Sequence, residues 1–438
     1  MRKRKSIALL LALAMTVSMF AGCAANPVQD ESEEASENVA EESEEELITP
    51  IPTQTPEVTE IITPEPVPQE DIPAGMAKSI LTGEYVDEAI GKRRPVAFMV
   101  DNVSGAFPHY GNSQASVYIE APVEAELTRE CLIFENYDDL DRIGSLRSCR
   151  DYFLSYAHGF DSIFCHYGQA AYALVYLEND KTDNISGLKG YAGNFFYRSS
   201  DLKAPHNAHT SGKGINDAIE YLGYRKTIKE GFVPTFKFKW VGEKADVSNG
   251  MEAAYASAGY PSSKSYFEYN PEDGLYYRFQ YGGPEIDGMN GEQIKVKNLI
   301  FEFENATLYQ TSQYVHFNTV GSGKGIYCTD GKAVNITWQR NDYYEPAKYF
   351  LEDGTELEMT PGKTFVNLVK NKHIANCVIG ASKDEAVCAV SDTVRQELEN
   401  ENAEWESWFK EHEQELRDEL DADHFDSLQA HGGISKCQ

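Results

Sequence analysis

From residue 95 onward, the apolar positions fall into short runs whose period changes along the chain. Residues 95–101 (PVAFMVD) form an apolar run ending in Asp101-Asn102, which predicts a buried strand with polar groups at its C-terminal end. Residues 116–120, 128–134 and 161–166 predict three more strands, the last followed by Tyr167-Gly168. Ser148-Cys-Arg-Asp151 has the form of a capping box, serine at the N-cap and aspartate at N3, opening a helix to about His158. A further helix is predicted from about Gly212 to Tyr224, capped by Thr210 or Ser211. Beyond about residue 232 the pattern alternates. Residues 266–279 read as two strands around an Asp-Gly turn, and 334–338 and 364–369 as further strands, so this half is expected to be mostly antiparallel β. In the last stretch, about 391–424, Val394, Leu398, Trp405, Phe409, Leu416 and Leu420 recur at spacings of four and seven. They place one apolar stripe on an acidic amphipathic helix, which is expected to pack back on the protein rather than on a partner helix. The fold class is thus mixed α/β, with domains at 79–228 and 232–371.

The N-terminus obeys a different pattern. Arg2, Lys3, Arg4 and Lys5 precede an apolar core from Ile7 to Phe20, closed by Ala21-Gly22-Cys23. The core is short for a bilayer span and reads as a signal peptide. The closing cysteine makes residues 1–22 a lipoprotein signal and Cys23 the acylated first residue, although cleavage after Ala21 or Gly22 by an ordinary route gives a similar pattern. Residues 24–77 contain no Lys or Arg, carry 15 acidic side chains and include Pro50, Pro52, Pro56, Pro64, Pro66, Pro68 and Pro73. Such a segment buries too little apolar surface to offset its ordering entropy, so 23–78 is expected to be a disordered acidic tether. The partner expected on this side is membrane lipid at the extracytoplasmic face, reached through acyl chains on Cys23.

Charge and cysteine content exclude more than they establish. The net charge of −31 is unevenly placed: +4 in the signal, −15 in the tether, −12 in residues 384–438, and only −8 in residues 78–383. No basic stripe with interleaved aromatics appears, which argues against nucleic-acid binding. The seven cysteines after Cys23 are odd in number and lack any C-x-x-C spacing. Cys131 and Cys165 sit in strand-like runs and are expected to be buried thiols, while a disulfide among Cys328, Cys377, Cys388 and Cys437 stays open.

The most site-like constellation is Ile143-Gly-Ser-Leu-Arg147-Ser148-Cys-Arg150-Asp-Tyr152. A helix N-terminus flanked by Arg147 and Arg150, with Arg129 nearby, would make an anion cradle of forked donors. In the structural alternative, Arg147 pairs with Glu120, Glu124 or Glu126, and Asp151 satisfies Arg150. Asp101 and Asn102 at one strand end, His166 before Gly168 at another, and the Arg198, Lys203, His206 and Asn207 loop are candidates to converge there. His206-x-x-His209 lacks a supporting carboxylate, so no metal site and no cofactor is called for; no G-x-S-x-G elbow or P-loop is present either.

At these residues the chain resembles the YerB-like lipoproteins, a family built on a two-part domain of unknown function. The carrying motifs are Arg94-Pro-Val-Ala-Phe-Met-Val-Asp-Asn102, Tyr118-Ile-Glu-Ala-Pro-Val-Glu124 with Thr128-Arg129, and Ile143-Gly-Ser-Leu-Arg-Ser-Cys-Arg-Asp-Tyr-Phe153. Phe164-Cys-His-Tyr-Gly168, Tyr197-Arg-Ser-Ser-Asp-Leu-Lys-Ala-Pro-His-Asn207, Asp330-Gly-Lys-Ala-Val-Asn-Ile-Thr-Trp338 and Pro361-Gly-Lys-Thr-Phe365 follow in order. The resemblance implies a layered ββα-type sandwich, a bacterial membrane lipoprotein, and no established catalysis. Two function classes follow. One is a lipoprotein binding an anionic or glycan envelope component, or an envelope protein, through the arginines. The other is an envelope phosphotransferase, since the Gly-x-x-Arg-Ser-x-Arg segment also resembles the LytR-CpsA-Psr enzymes, whose arginines and aspartates hold a lipid pyrophosphate.

Overall fold

In its first half the chain forms β1 (Val96–Asp101), β2 (Val117–Pro122), β3 (Thr128–Phe134), α1 (Asp151–His158), β4 (Ile163–His166), β5 (Asn184–Ser186) and α2 (Gly212–Leu222). The second half adds β6 (Tyr255–Ser257), β7 (Tyr266–Asn270), β8 (Leu275–Gln280), β9 (Asn298–Glu304), β10 (Gly321–Thr329), β11 (Lys332–Arg340), β12 (Thr364–Lys370), β13 (Val378–Gly380) and α3 (Asp392–Glu419). These elements come from a computed structural model that describes residues 70–419 apart from Thr311. The described residues from Asp71 onward belong to one compact unit. Its first strand, Met76–Lys78, pairs antiparallel with Tyr85–Asp87.

One mixed sheet of 11 strands runs β11-β10-β9-β12-β2-β3-β1-β4-β5, with Met251–Glu252 and Lys348–Leu351 on β11. The two halves of the sequence meet inside it, because β12 lies parallel between β9 and β2. Most pairings of the second half are antiparallel, as the alternation predicts; β9–β12 and the short pair Lys237–Phe238 with Glu358–Met359 are parallel. A second sheet runs β8-β7-β6-β13 with short strands at its margins.

Because side chains alternate across a strand, the large sheet sorts its residues onto two buried faces. Phe98 and Val100 of β1, Leu132 of β3, Leu299 of β9 and Phe365 of β12 face one core, which includes Phe267 and Tyr276 of the second sheet and Ile215 and Ile219 of α2. Ala97, Met99, Cys131, Ile133, Ile300 and Val366 face the other, where α1 supplies Tyr152, Phe153, Leu154 and Tyr156. The order helix, sheet, sheet is the layered ββα sandwich expected from the resemblance. α2 starts as the sequence indicates, with the Ser211 hydroxyl accepting from Gly214 N at 3.1 Å.

α3 folds back on the body. Leu398 and Phe409 are buried, Asn402 Oδ1 accepts from Ala306 N at 2.8 Å, and Glu413 accepts from Gln310 N at 2.8 Å. Cys131, Cys149, Cys165, Cys328, Cys377 and Cys388 are free thiols, so no disulfide forms among the described cysteines. The signal, Cys23, the tether up to residue 69, Leu420 and Cys437 lie outside the described residues.

His158, the last residue of α1, donates or accepts at Thr182 Oγ1 (3.1 Å), and burial, helped by Arg94 and Lys181, pushes its pKa down from 6.5 to about 4. Between those values the unfolded chain binds a proton that the folded chain refuses. This stability is therefore present above pH 6.5 and lost as the pH falls toward 4. His158→Gln is expected to remove about 2 kcal/mol of the stability loss between pH 7 and pH 5. Urea midpoints at the two pH values check it; equal acid losses in both proteins would contradict it.

Candidate anion-binding site

The segment that carries the two arginines is extended, not the start of a helix. Ile143 bridges to Thr210, Gly144 to Tyr110, Leu146 to Val100 and Cys149 to Gln169. Leu146 N donates to Ala208 O (2.7 Å), Arg147 N to Met99 O (2.9 Å) and Cys149 N to Gly168 O (2.9 Å). With these N–H groups committed to neighbouring segments, Ser148 does not cap. α1 begins at Asp151, with Arg150 in extended geometry as its N-cap and no side-chain capping bond. Asp151 does not satisfy Arg150 either: its Oδ2 accepts from Tyr309 Oη at 3.0 Å and lies 3.3 Å from His316 Nδ1. Asp151 and Tyr152 are buried, so the expected open helix terminus is absent.

What the segment does assemble is a group of three guanidinium ions. Arg150 forks onto Glu124, Nε to Oε1 at 2.7 Å and Nη2 to Oε2 at 2.5 Å. Arg147 Nε lies 2.9 Å from Asp101 Oδ2, an ion pair without an aligned hydrogen bond, and the same oxygen is 2.6 Å from His206 Nδ1. Arg129, on β3 opposite Asp101, donates from Nη1 to the Ser148 carbonyl at 2.6 Å. It has no carboxylate partner among the described residues, and its Nε has no hydrogen-bond partner although the residue is only 6% exposed. Burial, then the charges of Arg150 and Arg147, push the Arg129 pKa down to about 9. By contrast, burial alone would raise the Glu124 carboxyl, but the hydrogen-bonded Arg150 holds it below the ordinary value. Three guanidinium groups thus face two carboxylates, and the surplus positive charge sits on Arg129, which is as buried as Arg150 but lacks its carboxylate. Arg147, Ser148, Glu124 and His206 are partly exposed and open the group to solvent.

The other candidates lie elsewhere or are occupied. Asn102 Nδ2 donates to Glu120 Oε1 (2.8 Å) and Thr128 Oγ1 (2.9 Å), turning both away from the arginines toward the second sheet. His166 is buried, with Nδ1 2.6 Å from Gly168 O and Nε2 3.3 Å from Asn184 Oδ1, a structural histidine whose burial lowers its pKa. Arg198 donates to Asn207 Oδ1 at 2.8 Å and lies over Tyr167, while the Lys203 carbonyl accepts from His206 N at 2.9 Å. None of these contacts reaches Arg129, Arg147 or Arg150.

Two buried clusters escaped the sequence reading. Between the sheets, Arg278 of β8 meets Glu120 (2.6 Å), Glu130 (2.7 Å) and Glu285, and His109 lies 3.2 Å from Glu285. Arg278, Glu120 and His109 are fully buried, and Glu130 and Glu285 nearly so. Burial, opposed by Arg278, raises the Glu130 carboxyl to about 8. On the other face of the large sheet, Tyr156 of α1 donates to Glu302 and Glu304 of β9, Tyr349 donates to Glu302, and Arg340 donates to Thr319 O at 2.8 Å. A charged residue at an inward strand position, such as Glu130 within 128–134, is the signal that could have found them. Away from both, a groove of about 520 Å³ is lined by Arg93, Arg94, Asp138 and Asn216 at the N-terminal end of β1. Its arginines are matched by Asp138, Asp161 and Asp183.

Comparison with known proteins accords with this layout. Residues 81–225 match the family described as protein of unknown function (DUF3048), N-terminal domain, and residues 254–366 match the DUF3048 C-terminal domain. The chain is 30% identical over 311 residues to a Bacillus subtilis (strain 168) protein named "Putative lipoprotein YerB", covering 71% of this chain and 90% of that one. A crystal structure of the YerB protein from Bacillus subtilis superposes with a TM-score of 0.58 at 26% identity, covering 71% of this chain and 98% of that chain. With both halves matched in order and the layered fold in common, the chain belongs to the YerB-like DUF3048 family.

Proposed function

We propose that this chain is a lipid-anchored protein of the extracytoplasmic membrane face that binds an anionic envelope component, phosphate- or carboxylate-bearing, at Arg129, Arg147 and Arg150. One observation carries the reading: Arg129 is a buried guanidinium with an unpartnered Nε and no paired carboxylate among the described residues. A buried unpaired charge costs several kcal/mol, and a forked anion would neutralise it where two neighbouring arginines already reinforce the field. Asp101 and Glu124 hold Arg147 and Arg150 in place. The test is thermal stabilisation of the full chain by inorganic phosphate and by phosphorylated wall glycan, lost in Arg129→Met; no stabilisation by either ligand in the native chain overturns the reading.

The anchor is a separate part of the proposal. The relative's name as a lipoprotein, the Ala21-Gly22-Cys23 ending and the basic-free segment after it support acylation of Cys23. Cys23→Ser is expected to move the protein from the membrane fraction to the medium. Fractionation and immunoblotting check it, and retention in the membrane would assign the anchor to another segment.

A further inference from the structure

We propose that His109, Glu130 and Glu285 bind a divalent transition-metal ion, zinc in chemical class, in the layer between the two sheets. His109 Nδ1 lies 3.2 Å from Glu285 Oε1 and 4.0 Å from Glu130 Oε2, and the three ligand atoms fall within 4.8 Å of one another. A tetrahedral ion with bonds of about 2.0–2.1 Å sets its ligands roughly 3.3–3.4 Å apart, so atoms now as much as 4.8 Å apart would draw together by up to roughly 1.4 Å on binding zinc. One imidazole and two carboxylates form a donor set that zinc accepts.

Arg278 does not block this face. It takes Glu130 Oε1 at 2.7 Å and contacts Glu285 Oε2, which leaves Glu130 Oε2 and Glu285 Oε1 nearest the histidine, Glu285 Oε1 also accepting from Asn112 Nδ2 at 2.8 Å. Glu130 Oε2 has no hydrogen-bond partner although Glu130 is 1% exposed. His109 is fixed by stacking on Phe107 at 4.2 Å. If its Nε2, which has no hydrogen-bond partner, keeps the proton, the Nδ1 lone pair faces two carboxylates, an arrangement that a cation between them would relieve.

Charge points the same way. With all three ionised, Glu120, Glu130 and Glu285 bring three negative charges to the cluster, and Arg278 brings one positive charge. Asp287, the next carboxylate, is held apart by Gly111 N, Ser113 N, Ser113 Oγ and Met289 N. A divalent ion makes the cluster neutral. The competing occupant is a pair of protons, one on the imidazole and one on a carboxyl.

The experiment refolds the full chain with zinc chloride, desalts it and measures zinc by elemental analysis, with cobalt(II) as a spectroscopic substitute. Stoichiometric zinc, a raised Tm and a tetrahedral cobalt visible band are expected. Glu130→Gln should weaken zinc binding by at least roughly 10–100-fold, whereas His373→Ala, at the partly exposed histidine beside Glu126, should leave it unchanged. The cobalt band in the native chain reads the site even if Glu130→Gln fails to fold. A native chain that retains no zinc and gives no cobalt band holds protons there and overturns the proposal. Zinc retained equally by Glu130→Gln overturns it as well.

Discussion

Arg278→Met is expected to destabilise the fold by about 3–5 kcal/mol, the cost of removing one partner from a buried ionic cluster. Arg278 is fully buried, its guanidinium lies over the Phe365 ring, and it pairs with Glu120, Glu130 and Glu285 at once. Methionine fills a similar volume but leaves three carboxyl groups in an apolar layer with only the His109 imidazole beside them. The loss should depend on pH in a definite sense. Burial already raises the Glu130 carboxyl to about 8, and removing Arg278 takes away an influence that lowers it. A carboxyl whose folded pKa is raised favours the fold in its protonated form, so the variant should lose progressively more stability as the pH rises above the ordinary Glu value of 4.5. Guanidinium unfolding at pH 5.5 and pH 8 measures both effects. A loss below about 1 kcal/mol at pH 8 would show that the cluster is wet or loosely packed, against the burial described here.

How much of this was legible in the sequence follows from the range of the interactions. β1 and β3 stand out because they are buried on both faces and their apolar runs are local. The Tyr266–Asn270 and Leu275–Gln280 hairpin is legible because its turn is contiguous. Ser148 misleads for the opposite reason. Its local pattern is that of a cap, but Leu146, Arg147 and Cys149 hydrogen-bond to segments whose approach no nearby residue announces. The same holds for the β12–β2 pairing that joins the two halves, in which Thr364 lies beside Val117. Within the candidate site, Arg147 and Arg150 are conspicuous as a motif, yet the residue with the unmet charge is Arg129, inside an apolar strand. Arg278 could have been found by the same rule: Tyr276, Arg278 and Gln280 occupy the inward positions of an alternating strand. Its acidic partners, Glu120 and Glu130, stand about 150 residues earlier in the chain.

Arg129→Met should separate a binding site from a scaffold, because the two roles predict opposite signs. A scaffold arginine has its charge matched, and its loss strands a partner. Arg129 has no carboxylate to strand: its one described hydrogen bond is to the Ser148 carbonyl, to which Arg150 Nη1 also comes within 3.5 Å. Removing it relieves the burial of a charge and its repulsion from Arg147 and Arg150, the causes that push its pKa down to about 9. Replacing buried ionic groups by well-packed apolar ones is neutral or stabilising by about 1–4 kcal/mol where the charge is poorly compensated. Without ligand, the variant is therefore expected to melt at or above the native Tm. With phosphate or a phosphorylated wall glycan, the native chain should gain Tm and the variant should not, so that the two melting curves cross as anion is added. Arg129→Lys keeps the charge but not the fork, and should recover only part of the gain, since a point charge replaces paired donors. A variant that loses several degrees without ligand, together with a native chain indifferent to anions, would make Arg129 a structural residue and remove the anion site. A crossing of the curves would instead mark the trade of stability for binding that a preorganised site requires.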